Sequence, residues 1–182
     1  MEWNEPHIVA MLRDPARKEQ GFTLLVEHFK ETLYWQIRRM VLSHDDADDV
    51  LQNTLVKAWT GLDSYRGDAA LSTWLFRIAS NEAINFLTRT RQQQSIDTAE
   101  ATGVAAQLTA DTYFDGDEAE ALLQEAITTL PMRQRQVFNL RYFGQMDYAE
   151  MSRLLEREKG GLKASYHHAV VKITEFLRRH EK

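Results

Sequence analysis

Apolar residues recur at helical spacing over most of the chain. Phe22, Leu25, Val26, Phe29 and Leu33 follow i, i+3, i+4, i+7, i+11, the stripe of one long amphipathic helix. A second helix is predicted after Ser43, with Leu51, Leu55, Ala58 and Leu62 inward. Asp45, Asp46, Asp48 and Asp49 crowd its start, where carboxylates favour the positive end of the helix dipole. The turn SYRGD at 64–68 ends it. A third helix is predicted over about 70–89, burying Leu71, Leu75, Ala79, Ala83 and Phe86. From 92 to 117 no stripe persists, and the composition is polar, acidic and rich in small residues. Periodicity resumes with Leu123, Ala126, Ile127 and Leu130. Pro131 opens a helix that includes Val137 and Leu140 and ends near Gly144. Two more helices are predicted over about 148–155 and 160–177. Strand-like alternation is nearly absent. The expected fold is all-α: two small helical bundles, residues 1–91 and 118–182, joined by an acidic flexible linker, 92–117.

Composition sharpens this picture by exclusion. With no cysteine among 182 residues, disulfides, thiolate nucleophiles and cysteine-ligated metal centres are ruled out. The longest uncharged run is the ten residues 101–110, half of what a membrane-spanning helix needs. The opening MEWNEPHIVAML lacks the basic end and apolar stretch of a secretory signal, so a cytoplasmic protein without membrane insertion is expected. The net charge of −5 hides a gradient. Residues 95–130 hold eight acids and no Lys or Arg, whereas 131–182 hold 11 basic side chains against six acidic ones. The last third therefore suits nucleic acid although the whole chain is acidic.

Three faces carry candidate chemistry. In the last two helices, a short element striped by Tyr148, Met151 and Leu155 meets a longer one striped by Leu162, Tyr166, Ala169, Ile173 and Leu177, across the segment Glu156, Arg157, Glu158. That is the helix-turn-helix pattern, and equally that of a helical hairpin with a solvated face. The longer helix turns Lys163, Ala164, Ser165, His167, His168 and Lys172 away from its core. The adjacent histidines lie about 100° apart on a helix, which suits surface contacts rather than a shared metal. In the third helix Trp74, Arg77, Asn81 and Asn85 form a separate stripe suited to unstacked bases and phosphate, or else capping the core. The loop Tyr65, Arg66, Gly67, Asp68 precedes it and can wall a pocket for an extruded base. In the second helix Asp49, Gln52, Asn53, Val56 and Trp59 make an acidic, amide-bearing stripe that suits either solvent or a docked protein. The dipeptide His44-Asp45 occurs in metal phosphohydrolases, but here it falls between helices rather than within one. No nucleophile elbow, glycine-rich phosphate loop or set of metal ligands appears, so no cofactor, metal or catalytic residue is expected.

The stretches DADDVLQNTLVKAW (46–59) and YRGDAALSTWLFRIASNEAINFL (65–87) resemble region 2 of bacterial sigma factors. LPMRQRQVFNLRYFGQMDYAEMSRLLEREKGGLKASYHHAVVKI (130–173) resembles their region 4. The order, the length and the missing region 3 are similar to the extracytoplasmic-function (ECF) group, over about residues 20–91 and 118–178. The resemblance implies a non-enzymatic initiation factor with two partners, core RNA polymerase and promoter DNA. Asp46, Asp49, Gln52, Asn53, Val56 and Trp59 would meet the polymerase clamp coiled coil. Tyr65, Arg66, Gly67, Asp68, Ser72, Thr73, Trp74, Arg77 and Asn81 would capture the melted −10 strand. Lys159, Gly160, Lys163, Ala164, Ser165, His167, His168 and Lys172 would read the −35 duplex, with the same bundle packed on the polymerase flap. Such factors are commonly held inactive by an anti-sigma protein.

Two departures qualify the resemblance. The helix-turn-helix turn carries Glu156 and Arg157 where the family often has glycine and an aliphatic residue, which implies an altered or mildly strained turn. Arginines usual near Ser165 and at His168 are missing, which removes two bidentate guanine readers. A stand-alone helix-turn-helix regulator and a sigma-like decoy that titrates polymerase or an anti-sigma factor are the alternatives.

Overall fold

A computed structural model describes residues 3–93, 108–111 and 116–180, and every regular element among them is helical. α1 (Glu5–Arg13) was not signalled by any long apolar stripe. It forms because Asn4 accepts a hydrogen bond from the His7 amide (3.0 Å) and Pro6 sits in the first turn, where its missing N–H costs nothing. α2 (Lys18–Val41) crosses α1 at Gly21, where a β-carbon would lie 2.9 Å from that of Met11. α3 (His44–Gly61) is capped by Ser43, with Asp45 and Asp46 in its first turn. A 3-10 turn (Leu62–Ser64) leads to α4 (Leu71–Gln93), which runs past the expected end of the first bundle. The predicted stripes meet in one core: Leu25, Leu33, Ile37, Val50, Leu71 and Leu75 are each no more than 1% exposed.

The second bundle comprises α5 (Glu118–Thr128), α6 (Met132–Tyr142), α7 (Tyr148–Leu155) and α8 (Lys159–His180). Asp117 caps α5 by accepting from the Glu120 amide (2.8 Å), and Pro131 stands at the cap of α6. α7 starts with a full capping box: the Glu150 amide donates to Asp147 (2.8 Å), and the Asp147 amide donates to the Glu150 carboxylate (2.9 Å). The core is split. Ala126, Ile127, Leu130, Phe138, Ala169 and Ile173 form one cluster, and Val137, Leu140, Met146, Met151, Leu154 and Leu162 the other.

The two bundles are in contact. Phe76 of α4 packs into the core of the first bundle and also against the α6–α7–α8 cluster of the second. Arg135 of α6 donates to the Met40 carbonyl (3.1 Å), and Arg39 lies 4.3 Å from the centroid of the Phe143 ring. Burial lowers the Arg135 pKa to about 10, so the side chain stays cationic at neutral pH. Two described residues of the acidic linker are seated on the fold. Leu108 is buried, and Asp111 forms an ion pair with Arg38, itself only 4% exposed. Residues 94–107 lie outside the described ones. No described helix is long and apolar enough to cross a membrane.

Candidate nucleic-acid interface

The loop before α4 is held from three sides. Arg13 donates to the Arg66 carbonyl (3.3 Å), the Tyr65 hydroxyl donates to the Ala69 carbonyl (2.6 Å), and the Leu71 amide donates to the Glu5 carboxylate (2.8 Å). Gly67 sits at φ +84°, a left-handed geometry that favours glycine. Burial, reinforced by the charge of Glu5, raises the Tyr65 pKa, so this hydroxyl is neutral at physiological pH. Two of these clamps, Glu5 and Arg13, come from α1. The sequence reading did not include them, because contacts 66 and 53 residues away in the chain leave no local pattern.

The clamped loop and the first turns of α4 enclose a cleft of about 270 Å³. Tyr65, Arg66, Gly67, Asp68, Thr73, Trp74 and Arg77 all line it, so most of the expected strand-capturing residues converge. Trp74 is half-buried and tilted against Tyr65, ring centroids 5.2 Å apart, over the close approach of Gly61 (3.4 Å to a β-carbon built there). Ser72 is half-buried beside the cleft without lining it. Asn81 lies further along α4, in a second, wider groove of about 520 Å³. Asn85 turns toward Glu82 (3.4 Å), which is buried and paired with Lys57. The cleft offers aromatic surface, a guanidinium and backbone edges, and suits a flat base with its phosphate. Its far wall is unexpected: Arg153 and Leu154 of α7 close it, and Glu156 forms an ion pair with Arg77.

The expected docking stripe on α3 is graded in exposure. Asp49, Gln52, Asn53 and Val56 are exposed, with Val56 at 61%. Asp46 is half-buried and donates its amide to the Ser43 cap. Trp59 is more engaged than a free aromatic anchor, with its ring edge against Phe22 (5.1 Å) and the Lys18 ammonium over its face (5.3 Å). At the other end of the helix, His44 is the first residue of α3 rather than a loop residue, and it bonds Tyr34 (2.7 Å) and lies 3.5 Å from Asp48. Among the described residues no group of three or more His, Asp or Glu is arranged to hold a metal ion.

In the second bundle, Lys159, Gly160, Lys163, Ala164, His167, His168 and Lys172 are exposed along one side of α8, and Ser165 is half-buried. Leu162, Ala169 and Ile173 point inward. Lys163 lies over the Tyr148 ring (5.7 Å), and Lys172 donates to Gln134 (3.1 Å). Nothing in the fold lies within 4 Å of a β-carbon built at Gly160 or Gly161, so the start of α8 is open to a close-approaching surface. Glu156 takes φ 53° and ψ 46°, so the turn keeps the left-handed geometry that glycine supplies cheaply. The turn is therefore strained rather than reshaped. Ser152 completes it by donating to the Arg157 carbonyl (2.6 Å).

Residues 25–93 match the family described as Sigma-70 region 2, and residues 120–173 match Sigma-70, region 4. The chain belongs to the sigma-70 family. It is 27% identical over 159 residues to the ECF RNA polymerase sigma factor SigW of Bacillus subtilis, covering 82% of this chain and 84% of that one. To the ECF RNA polymerase sigma-E factor of Escherichia coli K12 it is 29% identical over 155 residues, covering 80% and 81%. The fold is similar to that of the sigma factor RpoE of Bartonella quintana, solved with the anti-sigma factor NepR, at TM-score 0.71 and 23% identity over 86% of this chain and 96% of that one. It is also similar to CnrH, solved with the cytosolic domain of CnrY, at TM-score 0.70 and 21% identity over 96% and 97%. The protein is an alternative sigma factor of the ECF group, acting in transcription initiation. The first bundle is its region 2, and the second its region 4.

Proposed function

We propose that this sigma factor docks on core RNA polymerase through Asp46, Asp49, Gln52, Asn53, Val56 and Trp59 of α3. It then captures the unpaired −10 strand in the Tyr65–Trp74–Arg77 cleft and reads the −35 duplex with the exposed face of α8. Residues 1–91 and 118–182 act as the two recognition domains, with 92–117 as the connection. The factor has no catalytic residue; the polymerase performs the chemistry. The observation that carries this reading is the convergence of loop 65–68, Trp74 and Arg77 on one cleft within a matched region 2. A cleft that binds an unstacked base better than a paired one shifts the duplex toward its melted form without ATP. The two solved relatives were captured with an anti-sigma factor or a cytosolic partner domain, which supports control of this chain by a protein of that kind.

The test mixes the purified chain with bacterial core RNA polymerase and a genomic promoter library, and sequences the run-off transcripts. Discrete start sites sharing −35 and −10 elements, lost with Trp74→Ala, are expected. Polymerase binding without starts would leave a decoy. Duplex binding with no polymerase binding would leave a stand-alone helix-turn-helix regulator.

A further inference from the structure

We propose that the chain closes on itself, and that Glu156, the acid in the helix-turn-helix turn, occupies the phosphate position of the −10 cleft until polymerase pulls the two bundles apart. The inference rests on the reading above for what the cleft binds. It does not rest on it for the closed contact itself.

Four observations converge. Arg77, the guanidinium expected to hold the −10 strand, is paired with the Glu156 carboxylate. A carboxylate satisfies a guanidinium as a phosphate does, through charge-assisted bonds to two oxygens. The cleft beside it is walled by Arg153 and Leu154 of α7, and the groove further along α4 is faced by Met132 and Gln136 of α6. Region 4 thus covers the strand-capturing side of region 2. Phe76 sits at the middle of this contact, one turn from Thr73 and packed into both bundles. Finally, Glu156 holds a left-handed backbone that an acid adopts at a cost and glycine adopts freely. Its place in a strained turn is explained by what its side chain reaches.

The closed form cannot initiate. Two elements named −10 and −35 lie on the order of 80 Å apart along a duplex at 3.4 Å per base pair. A bundle of the size of region 4 has a radius of gyration of about 11 Å. Packed against α4, its recognition helix cannot reach the distant element while α4 holds the near one. Opening is obligatory, and Glu156 must leave Arg77 when it happens. The pair is exposed, with side-chain exposures of 44% for Arg77 and 70% for Glu156, so it trims the closed state rather than creating it. The larger share comes from Phe76 and from Arg135 on the Met40 carbonyl.

The absence of cysteine makes the test direct. The full chain carrying Lys30→Cys and Arg178→Cys, both exposed positions, is labelled with a dye pair and followed by single-molecule energy transfer. The free chain is expected in a high-transfer state, moving to low transfer on core RNA polymerase. Glu156→Gln should raise the low-transfer share of the free chain two- to fivefold, and Glu156→Lys, which sets like charges together, should raise it further. In parallel, a fluorescent pool of random single-stranded DNA 12-mers should bind Glu156→Gln two- to fivefold more tightly than the parent. Glu175→Gln, the same charge change at an exposed position on α8, should leave that affinity unchanged. A parent chain already in the low-transfer state would overturn the proposal. So would transfer unmoved by either Glu156 variant, or equal tightening by Glu156→Gln and Glu175→Gln. A chain that never binds core polymerase fails the functional reading instead, and the free-chain distributions still judge the closed contact.

Discussion

The two surfaces proposed to face DNA in this sigma factor differ in what the rest of the chain does to them. The outer face of α8 is open to solvent, from Lys159 to Lys172. The cleft at Trp74 and Arg77 is built on the core of the first bundle and then walled by the second. Region 2 has one continuous core under its cleft. Region 4 has two smaller clusters, one of which is completed by Phe76 of the other bundle. A rigid platform suits a cleft that must present tryptophan, tyrosine and arginine in fixed relation. A small bundle that leans on its neighbour suits a part that must travel. The face proposed to read duplex is exposed in the free chain, and the cleft proposed to capture the strand is walled by α7.

The strongest way to break this contrast is through the cores. Leu75→Ala in region 2 and Met151→Ala in region 4, both fully buried, should each cost about 2–5 kcal/mol. Urea unfolding followed by circular dichroism should show the second change confined to an early transition and the first shifting the main one. One shared transition, moved equally by both, would mean that the bundles fold as a unit and region 4 is not the looser part.

Next comes the cleft. Trp74→Ala should leave polymerase affinity intact while weakening open-complex formation by about 1–3 kcal/mol, the worth of one base–aromatic stack. Permanganate reactivity of the melted promoter is the readout. Equal loss of both properties would show that α3 and α4 do not present separate faces.

A smaller effect tests the other surface. Lys163→Ala should lower the slope of log affinity against log salt for −35 duplex binding by about one unit, as expected when one phosphate contact is lost. Lys163 is also drawn toward the Tyr148 ring, so an unchanged slope would mean that it braces α7 rather than meeting DNA.

Much of this was legible in the chain because helical structure is written locally. The stripes of α2, α3 and α4 and the short α7 emerged from apolar spacing, and Ser43 and Pro131 marked helix starts by their side chains alone. α1 escaped although Ile8, Met11 and Leu12 stand at helical spacing, and its start rests on the single cap Asn4. The cleft was half legible. Trp74, Arg77 and loop 65–68 share one short segment, so their convergence follows from the turn and the helix period. The clamps Glu5 and Arg13, the partner Glu156 and the seat of Asp111 on Arg38 are long-range, and no spacing rule reaches across them. Glu156 was visible as an anomaly without a cause. The left-handed geometry it implied was present, and its ion-pair partner Arg77 lay on the other bundle.

The smallest expected effect concerns how α7, the helix that covers the cleft, is started. Asp147 accepts the Glu150 amide, and that bond holds its carboxyl below the usual 3.8, with Ala149 and the charges of Arg153 and Lys159 acting in the same direction. A carboxyl with a depressed folded-state pKa contributes stability above its unfolded value and loses it as pH falls through the folded one. The contribution should therefore be complete at neutral pH and fade from about pH 4 downward. Asp147→Asn keeps a capping acceptor but does not titrate. The variant should melt slightly below the parent at pH 7, and the difference should shrink as the pH is lowered below about 4. A difference that stays constant across that range would assign the cap to hydrogen bonding alone. The box at α7 would then be held by geometry, and acidification would leave the cover over the Trp74 cleft in place.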